Sequence, residues 1–181
     1  MAKRAPILTT ERLVLRPWRA TDRAPFAAMC ADPRVMEFLG PLLSRDESDA
    51  VADRIAAHFA EHGYGLWAVE VPGNAEFAGF VGLSQPRFSA HFTPCVEVGW
   101  RLAARHWGRG YATEGARAAL AFGFEQLGLR EIVSFTTAAN RASRAVMERL
   151  GMTRDPRDDF AHPSVPERDP LRPHVLYRLR T

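Results

Sequence analysis

The chain has 181 residues, of which 46% are hydrophobic and 25% charged, and its formal net charge is +3 at pH 7. This length and apolar content fit one domain with a substantial core, so we expect a single domain over residues 1–181. No apolar run approaches the ~20 residues that span a bilayer, and no basic stripe with interleaved aromatic residues indicates nucleic acid. We therefore expect neither a membrane nor a nucleic acid as partner.

Targeting and redox features favour the cytoplasm. Residues 1–6 are not followed by a hydrophobic region, so no secretory signal is expected. Cys30 and Cys95 lie far apart, without the spacing of a metal site or a CxxC motif. We interpret both as free thiols in a reducing compartment, and we expect no metal.

The order of predicted elements is mixed α/β. Alternation, turn residues and a capping box formed by Ser44 and Glu47 define the first half. Its elements are a strand at 12–16, a helix from 21 or 22 to 30, a helix after Ser44 that ends near Gly63, and strands at 64–71 and 76–83. Those of the second half are a loop at 84–94, a strand at 95–102, a helix at 112–127, a strand at 131–136, a helix at 140–150 and a strand at 174–180.

The segment 153–173 has no helical or strand period and is rich in proline. We expect a stiffened surface loop there. Such a loop could form one wall of a pocket for a substrate, or it could be a solvent-exposed decoration or a contact between subunits.

The segment 105–114 is the most informative part of the chain. Gly108 and Gly110 stand directly before the helix predicted at 112–127. Glycine permits positive φ and a close backbone approach, and a helix start directs free N–H groups at an anion. We expect that anion to be a pyrophosphate. The full dinucleotide-binding pattern and the Gly-Lys-Ser/Thr ending of a Walker A loop are both absent.

A second segment, 140–152, predicts an amphipathic helix with Asn140 as N-cap and Gly151 as its stop. Together with 97–100 and 107–114, it resembles the corresponding motifs of the GNAT acyltransferases. The residues at these positions are similar to those of the RimJ/RimL branch. In that family the first motif binds the coenzyme A pyrophosphate, and the Asn of the second hydrogen-bonds the pantetheine arm. Asn140, Ser143 and Gly151 match the spacing, whereas Met147 stands where a Tyr is often found. The resemblance covers most of the chain.

This resemblance implies a central, mostly antiparallel twisted sheet with a V-shaped splay between two parallel strands, here 95–102 and 131–136, flanked by about four helices. It also implies acetyl-CoA as co-substrate. The expected coenzyme A-binding residues are Trp100, Arg101, Leu102, Arg105, His106, Trp107, Gly108, Arg109, Gly110, Tyr111, Ala112, Thr113, Asn140 and Ser143.

The implied chemistry is direct attack of an amine on the thioester, which needs a proton acceptor and a group that assists the leaving thiolate. Glu97 is the expected base, although a strand carboxylate of this kind is also commonly a structural ion pair. His162 and His174 are alternative bases with a suitable intrinsic pKa. Ser143 is the candidate acid, or simply a small residue beside the cofactor.

The acceptor is the least determined part. Phe38, Trp67, Phe160 and His162 are candidates for its pocket, and the aromatic residues could equally belong to the core. The expected function is acetyl-CoA-dependent N-acetylation of a protein N-terminal α-amine or a small-molecule amine, by a monomer or a homodimer. The alternative is a non-catalytic acyl-CoA-binding or sensing module, which the absent Tyr suggests.

Overall fold

One mixed sheet organises the part of the chain that the computed structural model describes, residues 6–181. Residues 1–5, on which the targeting expectation partly rests, lie outside it. The helices are α1 (Arg23–Cys30), α2 (Pro33–Met36), α3 (Arg45–His62), α4 (Tyr111–Glu125) and α5 (Arg141–Arg149). The strands are β1 (Leu8–Thr9), β2 (Val14–Arg16), β3 (Leu66–Val71), β4 (Ala75–Ser84), β5 (Glu97–Leu102), β6 (Glu131–Thr137), β7 (Thr153–Arg154), β8 (Phe160–Ala161) and β9 (Pro173–Arg180).

The nine strands run in the order β1-β2-β3-β4-β5-β6-β9-β7, and β8 pairs with β9. All neighbours are antiparallel except β5 and β6, which are parallel. Their register holds the single pair Glu97 and Val133, and the Val133 N–H donates to the Val96 carbonyl over 2.9 Å. Beyond that pair the two strands separate. The expected GNAT architecture, with its V-shaped splay, is therefore confirmed.

Helix boundaries follow the capping signals in the sequence. Ser44 and Glu47 form the expected capping box at the start of α3, which ends at Gly63 with φ +78°. The Asn140 side chain accepts a hydrogen bond from the Ser143 N–H and so caps α5. These local hydrogen bonds explain why both helices were predictable.

The two faces of the sheet have separate cores. On one face α4 packs over a large cluster that includes Val81 and Val98. On the other face α1 packs over β4, where Trp18 contacts the rings of Phe26 and Phe77 edge-on. Because side chains alternate along a strand, β5 presents its residues to both faces.

The structure corrects two expectations. The segment 153–173 is not without regular structure, because β7 and β8 both pair with β9. Strands of two residues are too short to show a period in the sequence. The other correction is α2, an additional short helix that begins at Pro33 and is capped by the Asp32 side chain. Within residues 6–181, no helix combines the length and apolar character that crossing a membrane would need.

Candidate active site

A cavity of about 1120 Å³ opens where β5 and β6 separate. It reaches from α2 to the first turn of α4 and along α5. Most of the expected coenzyme A-binding residues line it, and these are Trp100, Arg101, Leu102, His106, Trp107, Gly108, Gly110, Tyr111, Ala112, Thr113, Asn140 and Ser143. The fold thus brings together two motifs that are separated by about one helix and one strand.

The turn before α4 has the features of an anion site. Gly108 and Gly110 have φ values of +71° and +80°. No side chain caps α4, and the backbone N–H groups from Gly108 to Thr113 have no hydrogen-bond acceptor within residues 6–181. A Cβ atom on Gly108 would meet no atom within 4 Å. Open space and unpaired donors at a helix start fit a pyrophosphate.

The cations around this turn differ from those expected. Arg105 and Arg109 line a separate cavity of about 400 Å³, not the large one. The large cavity is lined instead by Arg12, Arg117 and Arg149. Sequence reasoning missed these three because the conformation of a backbone turn decides which way neighbouring arginines point. Arg12 in addition comes from the connection between β1 and β2, which is distant in sequence.

Two residues of the turn are held by the protein itself. His106 is buried; its Nε2 accepts a hydrogen bond from Arg105 Nε over 3.1 Å, and burial followed by the charges of Arg105 and Arg109 lowers its pKa. Trp107 is 48% exposed, and its Nε1 donates to the Leu102 carbonyl over 2.8 Å. These contacts fix the turn against the end of β5.

The start of α5 contributes a polar wall. Asn140 Oδ1 accepts from the Ser143 N–H over 3.1 Å, and Nδ2 donates to Thr136 Oγ1 over 3.0 Å. The Asn140 amide is thereby oriented and keeps one N–H and one lone pair for a ligand. The Ser143 hydroxyl has no hydrogen-bond partner in the described part of the chain, and Ser143 lines the cavity.

Glu97 lies at the base of the splay and lines the cavity. Its carboxylate has neither a hydrogen bond nor an ion pair with any residue from 6 to 181, so the structure does not contain the alternative ion pair. Burial raises the pKa of the Glu97 carboxyl to about 8. A carboxyl with this pKa can exchange a proton with an amine near neutral pH.

The alternative bases lie outside the cavity. His162 and His174 contact each other with ring centroids 4.9 Å apart, and both pack beside Phe135, a residue of the cavity wall. Burial lowers the pKa of each. Phe160 belongs to the same aromatic cluster. The expectation that Phe160 and His162 line the acceptor pocket is therefore not met.

For Trp67 the structure selects the core, which is one of the two alternatives that the sequence left open. Trp67 is 0% exposed and packs in the main core between Phe59 and Phe122, while its Nε1 donates to the Pro6 carbonyl. Phe38 does line the cavity. Leu66, Phe80 and Phe135 also line it and were missed, since strand alternation alone does not show which face of a sheet meets a cavity.

A splayed pair of parallel strands beside an uncapped, glycine-led helix start defines an acyltransferase that uses coenzyme A. A family model described as the acetyltransferase (GNAT) domain matches residues 12–153. The chain therefore belongs to the GNAT acetyltransferase family.

Relatives and solved structures agree with this assignment. An FsC-acetyl coenzyme A-N(2)-transacetylase of Aspergillus fumigatus is 34% identical over 83% of this chain and 66% of its own length. The crystal structure of an acetyltransferase from Agrobacterium tumefaciens is 33% identical, with a TM-score of 0.78 over 97% of this chain and 95% of that one. RimL, a ribosomal L7/L12 alpha-N-protein acetyltransferase in complex with coenzyme A, shares the fold, with a TM-score of 0.76 over 97% and 98% of the two chains and 15% identity.

Proposed function

We propose that this protein transfers the acetyl group of acetyl-CoA to a primary amine, by direct attack within a ternary complex. The observation that supports this most is Glu97. A carboxyl without a partner among residues 6–181, at the point where β5 and β6 separate, lies where an amine and a thioester would meet. Its raised pKa gives it the basicity that proton abstraction from an ammonium group needs.

The other residues position the substrates. The N–H groups from Gly108 to Thr113 bind the pyrophosphate, and Asn140 donates to the pantetheine arm. The peptide groups of β5 beyond Glu97 face a strand that has moved away, so they are available to the amides of that arm and to the thioester oxygen. Acetyl-CoA supplies the activated acyl group.

The thiolate is the remaining charge to stabilise. Ser143 donates a hydrogen bond to it from the start of α5. Met147, at the position where relatives often have a Tyr, is 1% exposed and does not line the cavity. A Tyr at this position would therefore point into the core, so its absence does not favour a purely binding role for this chain.

No covalent enzyme intermediate is needed. Burial, followed by the charge of Glu97, raises the pKa of the Cys95 thiol to about 11, so Cys95 stays protonated and unreactive near neutral pH. The acetyl group passes directly from sulfur to nitrogen. The freed amine proton goes to Glu97, and the coenzyme leaves as a thiol or thiolate.

We place the acceptor among protein N-terminal α-amines and small-molecule amines. The residues of the two motifs support a RimJ/RimL-like relation, whereas the Aspergillus relative is named an FsC-acetyl coenzyme A-N(2)-transacetylase. We also propose that the enzyme works in the cytoplasm as a monomer or a homodimer.

The test is a screen of short peptides and small amines as acceptors for wild type and Glu97→Gln. The measured quantity is the release of free coenzyme A thiol. We expect amine-dependent release by wild type and almost none by the variant, with equal acetyl-CoA affinity. Tight acetyl-CoA binding without turnover of any amine would contradict this proposal and support the sensing module.

A further inference from the structure

Arg101 is a partly buried arginine, and its partners differ from those of the buried Arg16. Every guanidinium nitrogen of Arg16 has a carboxylate acceptor, because Nε donates to Glu70 and both terminal nitrogens donate to Asp22. Arg101 has no carboxylate partner within residues 6–181. Its Nη1 lies 3.4 Å from Cys30 Sγ, and its guanidinium carbon lies 5.4 Å from the centroid of the Phe80 ring. Its Nε is buried without a hydrogen-bond partner among the same residues.

A partly buried cation with so few partners is costly for the fold. Burial lowers the pKa of Arg101, because the charged form loses its hydration without gaining a carboxylate. The thiol of Cys30 is a weak hydrogen-bond partner, and the face of Phe80 offers only a cation–π contact. An anion that entered the cavity would supply the negatively charged hydrogen-bond acceptor that Arg101 lacks among residues 6–181.

Arg101 lies on the face of the sheet opposite α4. Glu97, Gly99 and Arg101 alternate with the residues of β5 that face α4, so they share the opposite face. That face also carries Phe80, which pairs with Arg101 across the two strands. The side chain of Arg101 is thus on the other side of the sheet from the uncapped start of α4, where the pyrophosphate is expected.

Gly99 leaves the strand bare between the two charged residues. A Cβ atom built on Gly99 would have one neighbour within 4 Å, the Glu97 Oε1 atom at 3.8 Å. Protein packing therefore does not require glycine at this position. The free space lies between Glu97 and Arg101, whose Cα atoms are about 13 Å apart along an extended strand.

We propose that Arg101 binds a carboxylate of the acceptor, so that the acceptor is an amine that also carries a carboxylate. This inference rests on the proposed function and names its substrate class. The acceptor amine points to Glu97, its body lies over Gly99, and its carboxylate forms a two-pronged hydrogen bond with the guanidinium. The planar fork of arginine matches a carboxylate in this way.

The test uses ω-amino acids of graded chain length, each paired with its carboxamide, as acceptors for wild type and Arg101→Met. It also measures binding of the N-acetylated products to the enzyme–coenzyme A complex by calorimetry, which does not depend on turnover. We expect wild type to favour the carboxylate of the best-fitting length by roughly 10- to 100-fold, and Arg101→Met to lose that preference.

Arg45→Met is the matched control, because Arg45 is an exposed arginine that pairs with Asp49 outside the cavity. It should keep the preference. The melting temperature separates recognition from a structural role: Arg101→Met should be at least as stable as wild type, and carboxylate products should stabilise only wild type.

Three results would overturn the inference: no preference in wild type, an unchanged preference in Arg101→Met, or a loss of coenzyme A affinity in that variant. The last would assign Arg101 to the coenzyme instead. Carboxylate-selective product binding without any acetyl transfer would uphold Arg101 as the anion site and contradict the proposed function.

Discussion

Arg12 and Glu114, 102 residues apart, join the N-terminal segment to the first turn of α4. The Arg12 backbone N–H donates to Oε1 over 2.9 Å, and Arg12 Nε donates to Oε2 over 2.7 Å. Thr10 Oγ1 adds a bond of 2.6 Å to Oε1. The carboxylate of Glu114, a residue beside the proposed pyrophosphate site, thus anchors the connection between β1 and β2 that carries Arg12.

Glu114→Gln should therefore weaken both the fold and coenzyme A binding. Burial opposes ionisation of Glu114, but the hydrogen bonds from Thr10 and Arg12 outweigh it and lower its pKa. Its contribution is present above the unfolded-state pKa and is lost as pH falls. We expect a loss of about 1–2 kcal/mol at pH 7 by denaturant unfolding. The exposed-site variant Glu61→Gln is the control, and equal losses in both would refute this anchor.

Gly110→Asp should abolish coenzyme A binding. The change places a negative charge at the start of α4, in a residue with φ +80°. Gly73→Asp is the matched control, because Gly73 has φ +73° in the β3–β4 turn and lies outside the cavity. It introduces the same side chain and similar backbone strain. Calorimetry should show binding by the control alone; full affinity in a folded Gly110→Asp protein would remove the pyrophosphate assignment.

Glu97→Gln should lower kcat by roughly 10²–10⁴-fold with acetyl-CoA affinity preserved. Since the pKa of Glu97 is raised to about 8, wild-type activity should increase as pH rises through about 8, where the carboxylate forms. The variant should lose that limb of the pH–rate profile. A wild-type profile in Glu97→Gln would transfer the proton acceptor role to another group.

The same residue should also affect stability. A carboxyl whose pKa is higher in the folded than in the unfolded state destabilises the fold as pH rises between the two values. Here that interval extends from the ordinary glutamate pKa of 4.5 to about 8. Glu97→Gln should gain stability over wild type across this interval, by about 1.4 kcal/mol for each unit of realised pKa difference. A constant difference between pH 5 and pH 9 would show that Glu97 is not desolvated.

Ser143→Ala should lower kcat and kcat/KM together by roughly 10- to 100-fold if its hydroxyl bonds the leaving thiolate. The measurement needs a saturating acceptor and a folded variant that binds coenzyme A. Met147→Tyr should not restore the loss, because a buried Met offers no path for a phenol to the cavity and a larger ring would overpack the core. Wild-type turnover by Ser143→Ala would make Ser143 a spacer.

Local rules were sufficient for much of the fold. The caps at Ser44 and Asn140 and the glycine turn before α4 act within a few residues, so the sequence shows them directly. Local rules left the position of Trp67 open, because an aromatic residue on a strand fits a core or a pocket equally well, and the structure places it in the core.

Long-range placement was beyond the same rules. Arg12 contacts the glycine turn by donating a hydrogen bond to the Arg109 carbonyl, although the two residues are far apart in sequence. No pattern of residue spacing predicts such a contact. Whether Arg105 or Arg12 faces the large cavity depends on the orientation of one short turn. The choice between a base and a structural ion pair at Glu97 also needed the structure. The sequence shows neither whether the carboxylate has a partner nor that burial raises its pKa.

The single backbone pair between β5 and β6 has a mechanical consequence. The strands from β1 to β5 and those from β6 to β9 share little direct hydrogen bonding, and α4, which packs on β4, β5 and β6, adds to the connection between the two halves of the sheet. An extended pantetheine arm lying in the gap would act as a surrogate strand. The substrate would then be a structural component of the sheet for the duration of each turnover, and its departure would leave the gap between β5 and β6 open again.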